Sequence, residues 1–125
     1  MNEILKIPFA VFNNNWDDLQ LFLKHRGNPP YMITDDLGLY FSGIKSLGNL
    51  ISVGGDLDLS YSEIEDLGNL ISVGGNMYLG GSKIKTLGNL TSVGGRLYLG
   101  GTPLSNKYSE EEIRKMVEVG GWVYI

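Results

Sequence analysis

The nonapeptide "LGNLISVGG" fills positions 47–55, recurs unchanged at 67–75 and returns as "LGNLTSVGG" at 87–95. A reaction centre is needed once, whereas a stack of similar layers needs the same turn in every layer, so a strict 20-residue period points first to architecture. Aligned at that period, apolar residues fall at fixed offsets. They are Leu47, Leu50, Val53, Leu57, Leu59 and Ile64; Leu67, Leu70, Val73, Met77, Leu79 and Ile84; and Leu87, Leu90, Val93, Leu97, Leu99 and Leu104. Each apolar side chain can therefore lie on its equivalent in the next layer.

The frame extends beyond the three clear copies. Ile33 matches Val53, Leu37 and Leu39 match Leu57 and Leu59, and Ile44 matches Ile64, which makes 27–46 a divergent first coil. Downstream, "VGGWVYI" matches "VGGRLYL" with extra residues inserted before it. The triplets Leu57-Asp58-Leu59, Met77-Tyr78-Leu79, Leu97-Tyr98-Leu99 and Val123-Tyr124-Ile125 alternate as half-buried strands do, apolar pair inward and variable residue outward. Parallel pairing would space such strands about 4.8 Å apart. The Gly-Gly pair before each strand is expected to supply positive φ and close backbone approach, so Gly74→Val should disrupt the turn.

Both ends break the pattern. Asn15 is placed to cap a helix that carries Asp17 and Asp18 in its first turn and Trp16, Leu19, Phe22 and Leu23 along one face, stopped by Gly27 and Pro29-Pro30. Ser109 and Glu112 form a Ser-x-x-Glu capping box for a second helix, expected to bury Ile113, Met116 and Val117. Such caps cover the otherwise open ends of a stack. The expected architecture is an α+β repeat solenoid of four to five coils with one parallel β-sheet and helical caps at both ends. It forms a single domain over 1–125: an N-terminal strand and cap helix in 1–26, four 20-residue coils in 27–106, and a cap helix with a final strand in 107–125.

Composition narrows the chemistry. Ten Lys+Arg against 14 Asp+Glu give a net charge of −4, which argues against a nucleic-acid backbone as partner. The absence of cysteine removes disulfides, thiolate metal sites and cysteine nucleophiles and is compatible with a reducing cytoplasm. Glu3 and Pro8 in the opening stretch do not suit a signal peptide, and no run of about 20 apolar residues suggests a membrane span. "GNMYLGGS" and "GRLYLGGT" imitate a phosphate-binding loop, but Gly81 and Gly101 stand at the lysine position. His25, the sole histidine, sits where a cation suits the end of the first helix, and no second imidazole accompanies it. Asp36 and Asp56 should neighbour one another with Asp35, Asp58, Glu63, Glu65 and Asp66 nearby, read as a solvated acidic face. Neither a metal nor a cofactor is expected.

The pattern Leu-x-x-Val-x-x-x-Leu-x-Leu, closed by Ile and Leu, resembles a short leucine-rich repeat at the lower limit of that family's repeat length. It lacks the family's Asn or Cys after the strand, where Ser60-Tyr61, Gly80-Gly81 and Gly100-Gly101 stand instead. The tail "GTPLSNKYSEEEIRKMVEVGGWVYI" is similar to the endings of small uncharacterised repeat proteins of bacteriophages, which share "LGNLTSVGG" coils. That resemblance implies only a viral, host-cytoplasmic setting, and neither resemblance implies an enzymatic activity.

The outward strand positions read Gly38, Asp58, Tyr78, Tyr98 and Tyr124 up the stack, flanked by Asp36, Asp56, Asn76, Arg96 and Trp122. Tyr, Trp and Arg bury large area at low entropic cost and are enriched where proteins bind one another. The expected function is thus a non-enzymatic protein-binding module whose sheet face, Asp58, Tyr78, Tyr98, Arg96, Trp122 and Tyr124, engages a host factor or a second copy. Stacked tyrosines can also serve sheet packing alone. Two further expectations stand beside it: an inhibitor of bacterial immunity that sequesters a nucleotide-like signal through Arg96, Lys83, Lys85 and the glycine-rich face, and a structural homo-oligomer formed through the exposed C-terminal strand Trp122–Ile125.

Overall fold

The computed structural model describes residues 4–125, so the first three residues of the 1–26 unit lie outside it. The chain is α+β, with two parallel sheets and three short α-helices among the described residues. In chain order the elements are β1 (Leu5–Ile7), a 3-10 turn (Phe9–Phe12), α1 (Trp16–Lys24), β2 (Tyr31–Ile33), β3 (Leu37–Gly38), β4 (Leu50–Val53), β5 (Leu57–Asp58), β6 (Ser72–Val73) and β7 (Met77–Tyr78). They continue through β8 (Ser92–Val93), β9 (Leu97–Tyr98), α2 (Pro103–Lys107), α3 (Glu110–Met116), β10 (Glu118–Val119) and β11 (Val123–Tyr124). One sheet runs β1-β2-β4-β6-β8-β10 and the other β11-β9-β7-β5-β3.

The expectation of one sheet is therefore corrected to two. The Gly-Gly pair that closes each repeated phrase lies between a strand of the first sheet and a strand of the second, so the "SV" before it is itself a strand. Pairing follows the 20-residue frame: Val53 pairs with Val73 and Val73 with Val93, while Leu57 pairs with Met77 and Met77 with Leu97. The degenerate first coil obeys it too, Ile33 on Val53 and Leu37 on Leu57, with a bulge after Tyr31. At both ends the separation is 26 residues, Leu5 pairing with Tyr31 and Val123 with Leu97, and each insertion contains a helix.

Between the sheets and one extended side, residues such as Leu57, Leu59, Ile64, Leu67, Leu70 and Val73 form a continuous apolar core. Burial of this kind is worth about 1.5–3 kcal/mol per large aliphatic side chain. Leu19 and Leu23 of α1 close one end and Ile113 and Val117 close the other. Met116, expected inside, is exposed, because α3 ends there and the next residue leaves the helix in an extended conformation. The cap at the C-terminal end also begins earlier than residue 107: α2 starts at Pro103, with Thr102 capping it and closing a capping box with Ser105.

The glycines divide into two kinds. Gly68 and its equivalents Gly48 and Gly88 hold the left-handed backbone, with φ of 57° at Gly68. Gly74 does not; a Cβ there would overlap the carbonyl of Gly54, so the pair serves close approach between layers and not positive φ. No helix among the described residues is long and apolar enough to cross a membrane.

Candidate functional site

A two-residue strand with one face inward leaves one outward side chain per layer, and parallel register brings those side chains into a column. In the second sheet that column is Gly38, Asp58, Tyr78, Tyr98 and Tyr124. The rings of Tyr78 and Tyr98 stack with centroids 4.8 Å apart and planes 10° from parallel, and those of Tyr98 and Tyr124 at 4.6 Å and 4°. These separations match the interstrand spacing, so the backbone ladder imposes the face-to-face geometry. Isolated rings prefer offset or edge-on contact.

Beside it runs the column Asp36, Asp56, Asn76, Arg96 and Trp122. Asn76 Nδ2 donates to the Tyr78 hydroxyl at 3.2 Å, and Arg96 Nη1 donates to the Tyr98 hydroxyl at 3.5 Å. That hydrogen bond, chiefly, and the nearby phenols of Tyr98 and Tyr124 raise the Arg96 pKa further. The exposed guanidinium thus sets a cation beside the phenol hydroxyls. Trp122 is 65% exposed and Tyr124 42%, while Tyr78 and Tyr98 are half-buried. Asp58 accepts from the backbone N–H of Ser60 at 3.0 Å, a local turn contact. The six residues singled out from the sequence thus lie on adjacent columns of one sheet, with Asp58 at the end away from Trp122.

The acidic column has a structural occupation. Asp36 Oδ1 accepts the backbone N–H of Asp56 at 2.7 Å, Asp56 Oδ1 that of Asn76 at 2.7 Å, and Asn76 Oδ1 that of Arg96 at 2.8 Å. A polar ladder is present after all, at the corner before the strand rather than after it. Asp35 holds the 3-10 turn through Phe9 N at 2.6 Å and Ala10 N at 3.1 Å. Among the described residues no three acidic, histidine or cysteine side chains gather to hold a metal.

Lys83 and Lys85 fall elsewhere, on the extended side. Lys85 pairs with Glu65 at 2.5 Å, which holds the Glu65 carboxyl below its usual range, whereas the neighbours of Arg96 are the tyrosines. His25 is the exposed C-cap of α1.

Two features escaped the sequence reading. The first sheet carries a shallow groove of about 490 Å³ floored by Ser52, Ser72 and Ser92 between Met32 and Glu118, and the buried Ser52 hydroxyl has no protein partner. Its signal was the outward Ser before Val in each repeat, preceded by Ile51, Ile71 and Thr91. Second, Phe41 and Tyr61 stand in left-handed backbone where later layers have Gly81 and Gly101. Their rings stack at 4.7 Å, with Tyr40 edge-on to Phe41, and all three are more than half exposed. The Phe-Tyr-Gly-Gly series at that offset was visible, but its meaning depended on φ.

No family model, no curated protein and no solved structure matches this chain.

Proposed function

We propose that this chain is a leucine-rich-repeat-like solenoid that binds a protein partner through the tyrosine face of its second sheet, without covalent chemistry and without a cofactor. The observation that carries the reading is the co-stacked column Tyr78, Tyr98 and Tyr124, flanked by the exposed Arg96 and Trp122. Register fixes the rings before any partner arrives, so little side-chain freedom remains to be lost on binding. The rim adds a cation and an indole N–H, groups that recur at binding hot spots. Asp58 extends the face toward an acidic end and gives it polarity. The bacteriophage resemblance of the tail supports a host protein as partner and the host cytoplasm as the setting.

The test is capture of partners by the wild-type chain and by a Tyr78→Ala/Tyr98→Ala variant of unchanged melting temperature. Loss of a partner with the variant supports the face. Recovery of the same partners in the same amounts removes it.

A further inference from the structure

The first sheet has two open edges, β1 at one end and β10 at the other, and they bear opposite charges in one column. Parallel register aligns Lys6 with Met32, Met32 with Ser52, then Ser72, Ser92 and Glu118. Lys6 and Glu118 are therefore the first and last outward residues of the column, both exposed and, among the described residues, neither in an ion pair. The backbone is complementary as well. Leu5 donates to Pro30 O and Thr34 donates to Ile7 O, so Leu5 and Ile7 turn their peptide groups toward β2 and Lys6 turns its own away. At the far end Glu118 donates to Thr91 O and Gly120 to Val93 O, which turns the N–H and C=O of Val119 outward; there the C=O accepts from Arg114 Nη1 at 3.3 Å, an exposed side chain that swings aside to admit the next strand.

From these edges we infer that copies of this chain associate end to end, the β10 edge of one continuing the sheet onto the β1 edge of the next. The partner is a second copy, because register that sets Val119 beside Ile7 sets Glu118 directly across from Lys6, an opposite-charge cross-strand pair. Alongside, the exposed Trp122, Tyr124 and Ile125 of one copy come to the 3-10 turn of the next, where Val11 is 69% exposed. The contact is head-to-tail, so each addition leaves a fresh edge and the assembly does not close. The inference rests on the ends of the first sheet; its flank shares Trp122 and Tyr124 with the tyrosine face, so the charge exchange that tests it is made at Lys6 and Glu118, which lie outside that face.

Charge exchange tests it. By light scattering at low ionic strength, the wild type should grow in mass with concentration. Lys6→Glu alone and Glu118→Lys alone each set like charges opposite and should raise the concentration needed about tenfold. The Lys6→Glu/Glu118→Lys double variant, and an equimolar mixture of the two single variants, should return to wild-type behaviour. A wild type that stays monomeric throughout overturns the inference, as do single variants that assemble unchanged or a double variant and mixture that fail to recover. Unchanged circular-dichroism melting in the variants shows that the fold is intact.

Discussion

At Asp56 one carboxylate joins two layers: its Oδ1 accepts Asn76 N while its own N–H donates to Asp36. A carboxylate holding a backbone donor contributes more than a neutral pair, so Asp56→Ala should cost about 1–2 kcal/mol in urea unfolding. Asp56→Asn, which keeps the acceptor, should recover most of it. Glycines supply a sharper contrast. Gly74→Ala drives a Cβ into the Gly54 carbonyl, where no rotamer can relieve it, and should cost about 2–3 kcal/mol. Gly100→Ala meets open space and should be neutral within about 0.5 kcal/mol. Tyr31 gives a pH signature. Burial, partly opposed by the hydrogen bond from Gln20, pushes its phenol up to about 12, while its hydroxyl donates to Leu47 O at 2.9 Å. The folded state holds this proton more tightly than the unfolded chain, so the contribution is complete below the ordinary tyrosine pKa near 10 and is lost as pH rises toward 12. The stability of the wild type to denaturant should therefore fall more steeply between pH 10 and 12 than that of Tyr31→Phe.

At the level of elements, the turn from β10 into β11 is held from outside both sheets. Arg114 on α3 donates to Val119 O at 3.3 Å and Gly121 O at 2.9 Å and pairs with Glu110 at 3.1 Å. Arg114→Ala should leave the core intact but speed amide exchange at β11, read by hydrogen-exchange mass spectrometry against an unchanged exchange rate in β7. Much of this level was legible in the sequence. The matches of Ile33 to Val53, Leu37 to Leu57 and Leu97 to Val123 are the observed pairings, and the Asn15 and Ser109 caps are the observed caps. The first sheet was hidden because a two-residue strand such as Ser72–Val73 is too short to show alternation. The strand in 1–26 was expected, but its pairing with β2 was hidden because α1 interrupts the period, and left-handed Tyr61 because an aromatic there is unfavourable without its neighbours. Of the site, the tyrosine column could be read directly from offsets, whereas the serine groove of the other sheet needed the corner between the sheets to be placed.

For the whole molecule, constant residues build the stack and variable ones distinguish its faces. The first sheet presents small hydroxyls ending in opposite charges, and the second presents rings ending in Trp122. On the proposed reading these surfaces divide the work: the ends of the first sheet would meet further copies and the face of the second would meet a partner. The central claim concerns that second face, and site-specific photo-crosslinking addresses it most directly. A benzophenone side chain placed at Tyr98, and separately at Ser92 in the groove, would be irradiated in cells producing the protein. The account predicts a partner adduct from position 98, suppressed by excess wild type but not by Tyr78→Ala/Tyr124→Ala, and none from position 92. An adduct from position 92 with none from position 98 would contradict it.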